Sequence, residues 1–175
     1  MKKDLAAGIA AGIAGGLIGS WAMNRTQALW SRAAEGFQSP SAAGSEDARD
    51  WQERGEGANA NELTAQFVAE RTVGRPLRRR ELAVAAPLVH YAFGATMGAI
   101  YGAMAEMTGG GTMGGGAAWG AAVWLGADEI AMPALGLARR DVDYPLEMHA
   151  QSLTAHLAYG MSVEAVRRTV RRAIS

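Results

Sequence analysis

All three histidines of the chain, His90, His149 and His156, fall in apolar stretches, together with Glu106, Asp128, Glu129 and Glu147. Histidine titrates near neutrality, and Asp, Glu and His side chains at membrane depth are the usual parts of a proton relay. The same groups also serve as hydrogen-bond locks between helices, worth about 0.6–2 kcal/mol each, or as metal ligands. Spacing narrows the choice. His149 and His156 share a helical stripe with Leu153 and Gly160, but two turns separate them, about 10 Å, a long reach for two imidazoles on one ion. His90 and Glu106 stand about 24 Å apart along a helix and on different sides of it, so each needs its own partner from another element. Three readings stay open: interhelical locks, a proton or small-solute path through His149, His156, Asp128 and Glu129, and a metal site from those same four. The last is the weakest, and no metal is assigned.

Other chemistry is poorly supported. The chain has no cysteine, hence no disulfide, thiolate nucleophile or cysteine-ligated zinc. No nucleophile elbow or dinucleotide fingerprint is present, and the glycine run 109–116 lacks the Lys-Ser/Thr of a phosphate loop. The reading is therefore not an enzyme, with no cofactor. Zero net charge and the lack of a basic, aromatic-studded face argue against nucleic acid as a partner.

The elements that must hold these residues are helices of an unusual kind. His90, Gly94, Gly98, Gly102 and Glu106 follow one another at i+4 inside the uncharged run Leu82–Ala105. In water, three interior glycines cost a helix about 1 kcal/mol each relative to alanine. In a bilayer, small residues at i and i+4 let two backbones approach closely. Residues 5–23 are also uncharged and carry Gly8, Gly12, Gly16 and Ser20 at i+4. That length crosses a hydrocarbon core of roughly 30 Å, although a cleaved leader ending at Ser20-Trp21-Ala22 is the competing reading.

Charge is segregated into the stretch between: 18 of the 34 charged residues lie from Arg25 to Glu81. Residues 24–81 are read as a polar extramembrane loop. It is poorly ordered over 39–61, has a short helix over 61–72, and ends in Arg78-Arg79-Arg80 at a headgroup layer. Spans are expected at about 5–23, 82–107, 113–137 and 145–164. The third carries Gly116 and Gly120, with Pro133 kinking or ending it. The fourth is expected to pack through Ala150, Thr154, Ala158 and Ser162. A soluble Ala-rich bundle is the alternative for so polar a helix. Residues 165–175 read as a basic amphipathic tail with Arg167, Arg168, Arg171 and Arg172 on lipid headgroups, or else as a solvated tail. The basic tail with Lys2 and Lys3 favours both termini inside, although the arginines flanking the second and third spans count the other way.

The second half of the chain also resembles a known family. The order is His90, Tyr101, Glu106, Trp124, Asp128-Glu129, Met-Pro-x-x-Gly-Leu at 132–137, Tyr144-Pro145, His156, Gly160, Glu164 and Arg167-Arg168. It is similar to the YagU-like family of bacterial inner-membrane proteins, a domain of unknown function, over roughly 82–172. The resemblance implies a small multi-pass protein of the cytoplasmic membrane with both ends inside, and it implies no catalytic residues.

Together these observations lead to an all-α integral membrane bundle of about four helices, packed through small-xxx-small seams that include Gly94, Gly98, Gly102, Gly116 and Gly120. Its partners would be the lipid bilayer and, through unused glycine faces, a second copy. Its role would be non-enzymatic, structural or stress-related. A transport module and a secreted protein with a cleaved leader are the alternatives.

Overall fold

The computed structural model describes residues 2–37, 60–109, 113–137 and 146–174, and these are all-α, with no strand among them. The polar stretch 39–59, the centre of the glycine turn and the connection 138–145 with Tyr144-Pro145 lie outside the described residues. The helices are α1 (Lys2–Phe37), α2 (Ala60–Thr72), α3 (Arg79–Met107), α4 (Ala117–Trp124) and α5 (Leu146–Ile174). Two of them, α1 over Asp4–Ala33 and α3, are long and apolar enough to cross a membrane.

Helix α1 does not stop at Met23. Between Asn24 and Gly36 there is neither proline nor glycine, so nothing breaks the ladder where the charge begins. Arg25 folds back over the Trp21 ring, 5.4 Å from its centroid, so its charge is carried without ending the helix. Helix α3 likewise begins earlier than its apolar run. Arg78 caps it, and the Glu81 carboxylate accepts from the Arg78 backbone N–H at 2.8 Å. Pro87 therefore sits two turns inside, not at the start.

α1 is the spine of the bundle, with α3 on one side and α5 on the other. Its first seam is made by glycines from both partners. Gly8, Gly12 and Gly16 run antiparallel to Gly102, Gly98 and Gly94, and a Cβ on any of the six would overlap the opposing carbonyl or side chain. Its second seam is Gly15 against Val163 and Gly19 against Tyr159. The backbones approach closely, so the interior consists mainly of Gly and Ala with Tyr101, Val123, Tyr159 and Val163 filling the gap between helices. Large apolar side chains such as Leu17, Ile18, Leu88, Phe93, Ile100 and Met161 are exposed. This reverses the usual partition, in which Leu, Ile and Phe are inside.

α4 packs on α5 by the same device: Gly116 and Gly120 meet Gly160 and the His156 backbone. Gly116 has φ +94°, a left-handed conformation open to glycine, which turns the chain into α4 against α5. The small row expected on α5 is not its packing face. Ala150 and Thr154 are exposed, and α5 instead buries the face with Ala155, His156, Tyr159, Gly160 and Val163. Gly160 fixes this face, because a Cβ there would overlap the Gly116 carbonyl and the Gly120 backbone.

Past Trp124 the helix widens into a π turn, Leu125–Ala131, in which the Met132 N–H reaches back to the Ala127 carbonyl. Pro133 explains the widening. Its ring would collide with the carbonyl four residues back in a regular helix, and the extra residue gives it room. The run then ends as a Schellman stop: Leu137 N–H bonds the Met132 carbonyl at 2.9 Å and Gly136 N–H the Pro133 carbonyl at 3.0 Å. Gly136 holds the required positive φ of 70°. Met-Pro-x-x-Gly-Leu is thus a helix terminator.

Candidate functional site

The π turn projects both Asp128 and Glu129 toward α5. Ser152 Oγ donates to Asp128 Oδ2 at 2.6 Å, and His149 Nδ1 donates to Glu129 Oε1 at 2.8 Å. His156 lies one turn further along, 5% exposed, with Nδ1 donating to the Ser152 carbonyl at 3.0 Å and standing 3.8 Å from Asp128 Oδ2. Four of the seven ionisable residues singled out from the sequence therefore meet at one helix–helix contact, while Glu147 is exposed in the first turn of α5. Their arrangement is a direct Glu129–His149 contact beside a looser Asp128–His156 approach, within which the Ser152 hydroxyl donates to Asp128 and its carbonyl accepts from His156. Such pairings hold, accept and pass protons. Among the described residues, no three His, Asp or Glu side chains are disposed to share one metal ion.

The other two go to opposite ends of the α1–α3 seam. His90 Nε2 donates to the Ser20 carbonyl on α1 at 3.2 Å. Glu106 takes a two-pronged contact from Arg171, at 2.8 and 3.1 Å, with Arg167 Nη1 3.8 Å away and Asp4 3.7 Å from the same Arg171. They do not share a partner.

This second cluster corrects the reading of the tail. α5 runs unbroken to Ile174, so Arg167 and Arg171 fall on the face turned to α1 and α3 rather than toward a headgroup layer. Arg167 is 5% exposed and bonds Glu164 at 2.7 and 3.1 Å, while Arg168 also reaches Glu164. Arg168 and Arg172 are the exposed ones. Glu164, 2% exposed, is the most deeply buried charged group described, and residue-by-residue reasoning did not single it out as a site. The signal was present as Glu at i with Arg at i+3 and i+4, a spacing that places them on one helix face.

Two further contacts escaped the sequence reading. The Tyr159 hydroxyl donates to the Gly94 carbonyl at 2.6 Å, tying α5 to α3 through the centre. A cavity of about 420 Å³ opens between α2, α3 and α4, and Asp128 is the one ionisable residue on its described walls. α2 lines it through Ala60, Asn61 and Thr64. It is docked by Gln66, whose side chain brackets the Leu77 peptide at 2.7 and 3.2 Å, and by Thr64 against Met132 at 3.7 Å.

Comparison with known proteins adds one finding. The family model DUF1440, described as a protein of unknown function, matches residues 74–165, more than half of the chain. The chain belongs to the DUF1440 family. The DUF1440 match takes in the whole Asp128, Glu129, His149, Ser152 and His156 group together with Glu164, and excludes α1. No curated protein and no solved structure matches the chain.

Proposed function

We propose that this DUF1440 protein is a multi-pass, YagU-like protein of the bacterial cytoplasmic membrane. In this reading α1, α3, the α4 run and α5 cross the bilayer with both termini inside, and the protein acts without catalysing a reaction. The inverted partition carries it: glycine, alanine and paired charges face inward while Leu, Ile, Phe and Met face outward. In water that arrangement loses the hydrophobic drive, whereas in lipid close backbone packing and interhelical hydrogen bonds suffice. Its role is then structural, with the lipid bilayer as partner. The experiment is single-cysteine labelling in intact cells, using the cysteine-free background. Ser175→Cys is expected to react only after permeabilisation and Ser45→Cys from outside. Labelling of Ser175→Cys from outside overturns the orientation, and labelling of both from one side overturns the number of crossings.

The pairing of Asp128 and Glu129 with His149, Ser152 and His156 favours a second reading, a proton or small-solute module. Reconstitution into liposomes with an internal pH dye tests it. A leak that disappears in Glu129→Gln and His156→Ala supports transport. Flux at background in the unaltered protein rejects it and leaves the cluster as a lock.

A further inference from the structure

The cavity beside α2 has a mainly apolar lining that includes one carboxylate, Asp128. Phe93 and Met97 of α3 and Trp119 and Val123 of α4 form apolar walls, and Asp128, Met132 and Thr64 also line it. Trp119 is held by its neighbour Tyr101, with ring centroids 5.5 Å apart, so the aromatic wall is preformed. Along the chain, Trp119 and Asp128 are separated by nine residues. The volume lies in the range of small-molecule sites, which are mostly apolar with a few placed polar groups.

Charge decides what fits. Among the described walls no Lys, Arg or His accompanies Asp128, and the donor to its carboxylate, the Ser152 hydroxyl, reaches it from the α5 side. The Asp128 side chain remains 31% exposed. A ligand anion would meet a carboxylate whose basic neighbour, His156, stands 3.8 Å away on the α5 side and does not line the cavity, and a doubly charged metal ion would find one carboxylate where it needs several oxygens. A monovalent cation with an apolar body meets both requirements: its charge lies against Asp128, and its hydrocarbon or aromatic part lies between Phe93 and Trp119, whose ring faces attract cations as well as apolar groups.

We propose that this cavity is a binding site for a lipophilic monovalent cation of the arylalkylamine class, with Asp128 as counter-ion and Phe93, Met97 and Trp119 as the apolar walls. The site deepens the solute-module reading by naming the class of solute. It rests on that reading for transport alone, and binding is measured apart from flux.

The test is calorimetric titration of the full chain in dodecyl maltoside micelles, with empty micelles subtracted, using 4-phenylbutylammonium and its neutral counterpart 4-phenylbutanol. The cation is expected to bind at one site and about tenfold or more tighter than the alcohol, the worth of a charge-assisted contact. Asp128→Asn, which keeps an acceptor for Ser152, is expected to remove that difference, leaving alcohol binding within about twofold because the apolar walls are untouched. Phe93→Ala is expected to weaken both probes. Equal affinity for cation and alcohol in the unaltered protein overturns the proposal in favour of an unselective apolar cavity, and absence of binding by either overturns it outright. Both of these outcomes are measured on the unaltered protein and stand even where a variant fails to fold. Binding without flux in liposomes rejects transport and leaves the site intact.

Discussion

Replacing Gly98 by alanine tests the α1–α3 seam directly. A Cβ at Gly98 lies 2.8 Å from the Gly16 Cα and 2.9 Å from the Gly16 nitrogen, and it overlaps the Gly12 carbonyl. These atoms are backbone, which cannot swing aside, so the helices must part by on the order of 1 Å, enough to forfeit a quarter to a half of the dispersion attraction in each contact across the gap. Overpacking of this kind costs about 1–3 kcal/mol. Alanine recovers up to about 1 kcal/mol of helix propensity. The net expected loss is about 1–2 kcal/mol, a factor of about 5–30 in the ratio of folded to unfolded protein. The matched control is Gly126→Ala, at a position with open space around the added carbon and no positive φ; it is expected to be neutral or stabilising by up to about 1 kcal/mol. Gly12→Ala should cost about as much as Gly98→Ala, and the double variant less than their sum, because the first methyl has already opened the seam. Reversible unfolding of the purified protein in mixed micelles reads all four. Gly98→Ala as stable as the parent protein, or indistinguishable from Gly126→Ala, would refute the close-packed seam.

Other substitutions probe the polar contacts. Glu164→Leu leaves the buried Arg167 guanidinium with Glu106 at 3.8 Å and is expected to cost about 3–5 kcal/mol, whereas adding Arg167→Leu recovers much of that loss; the same unfolding assay compares them. Tyr159→Phe removes the hydroxyl from the Gly94 carbonyl and should cost about 0.5–1.5 kcal/mol without changing the helix content measured by circular dichroism. Glu81 gives a pH signature at the start of α3: the Arg75 side chain, then the Arg78 backbone N–H, holds its carboxyl down at about 2 from an ordinary 4.5. A lowered folded value means the contact contributes fully above pH 4.5 and is lost as pH falls from there to about 2. Hydrogen exchange of the 74–82 amides should rise across that window, and Glu81→Gln should abolish the change.

The i+4 glycine rows and the short helix before α3 were legible because each depends on local spacing. The extent of α1 was not, since hydropathy marks where the apolar run ends and says nothing of a helix that continues through charged residues. Asp128 and Glu129 were visible as an acidic pair, but their shared direction depends on the π turn, which arises from Pro133 acting several residues upstream. The tail was misread for a related reason. A helical wheel separates Val163, Val166 and Val170 from the arginines without revealing which face meets α1, and Glu106 and Glu164 supply the partners that draw Arg167 and Arg171 inward. Tyr159 could not be assigned at all, because its acceptor is the backbone of a glycine 65 positions away.

The central claim is that the apolar exterior is lipid-facing. Spin labels at Leu17→Cys, Ile100→Cys and Met161→Cys, three exposed positions on three helices, measure this in liposomes by relaxation with oxygen, which concentrates in lipid, and with a water-soluble nickel complex. The membrane bundle requires strong oxygen relaxation and almost none from nickel at all three sites. Strong nickel relaxation at these positions would place the same surfaces in water and contradict the account.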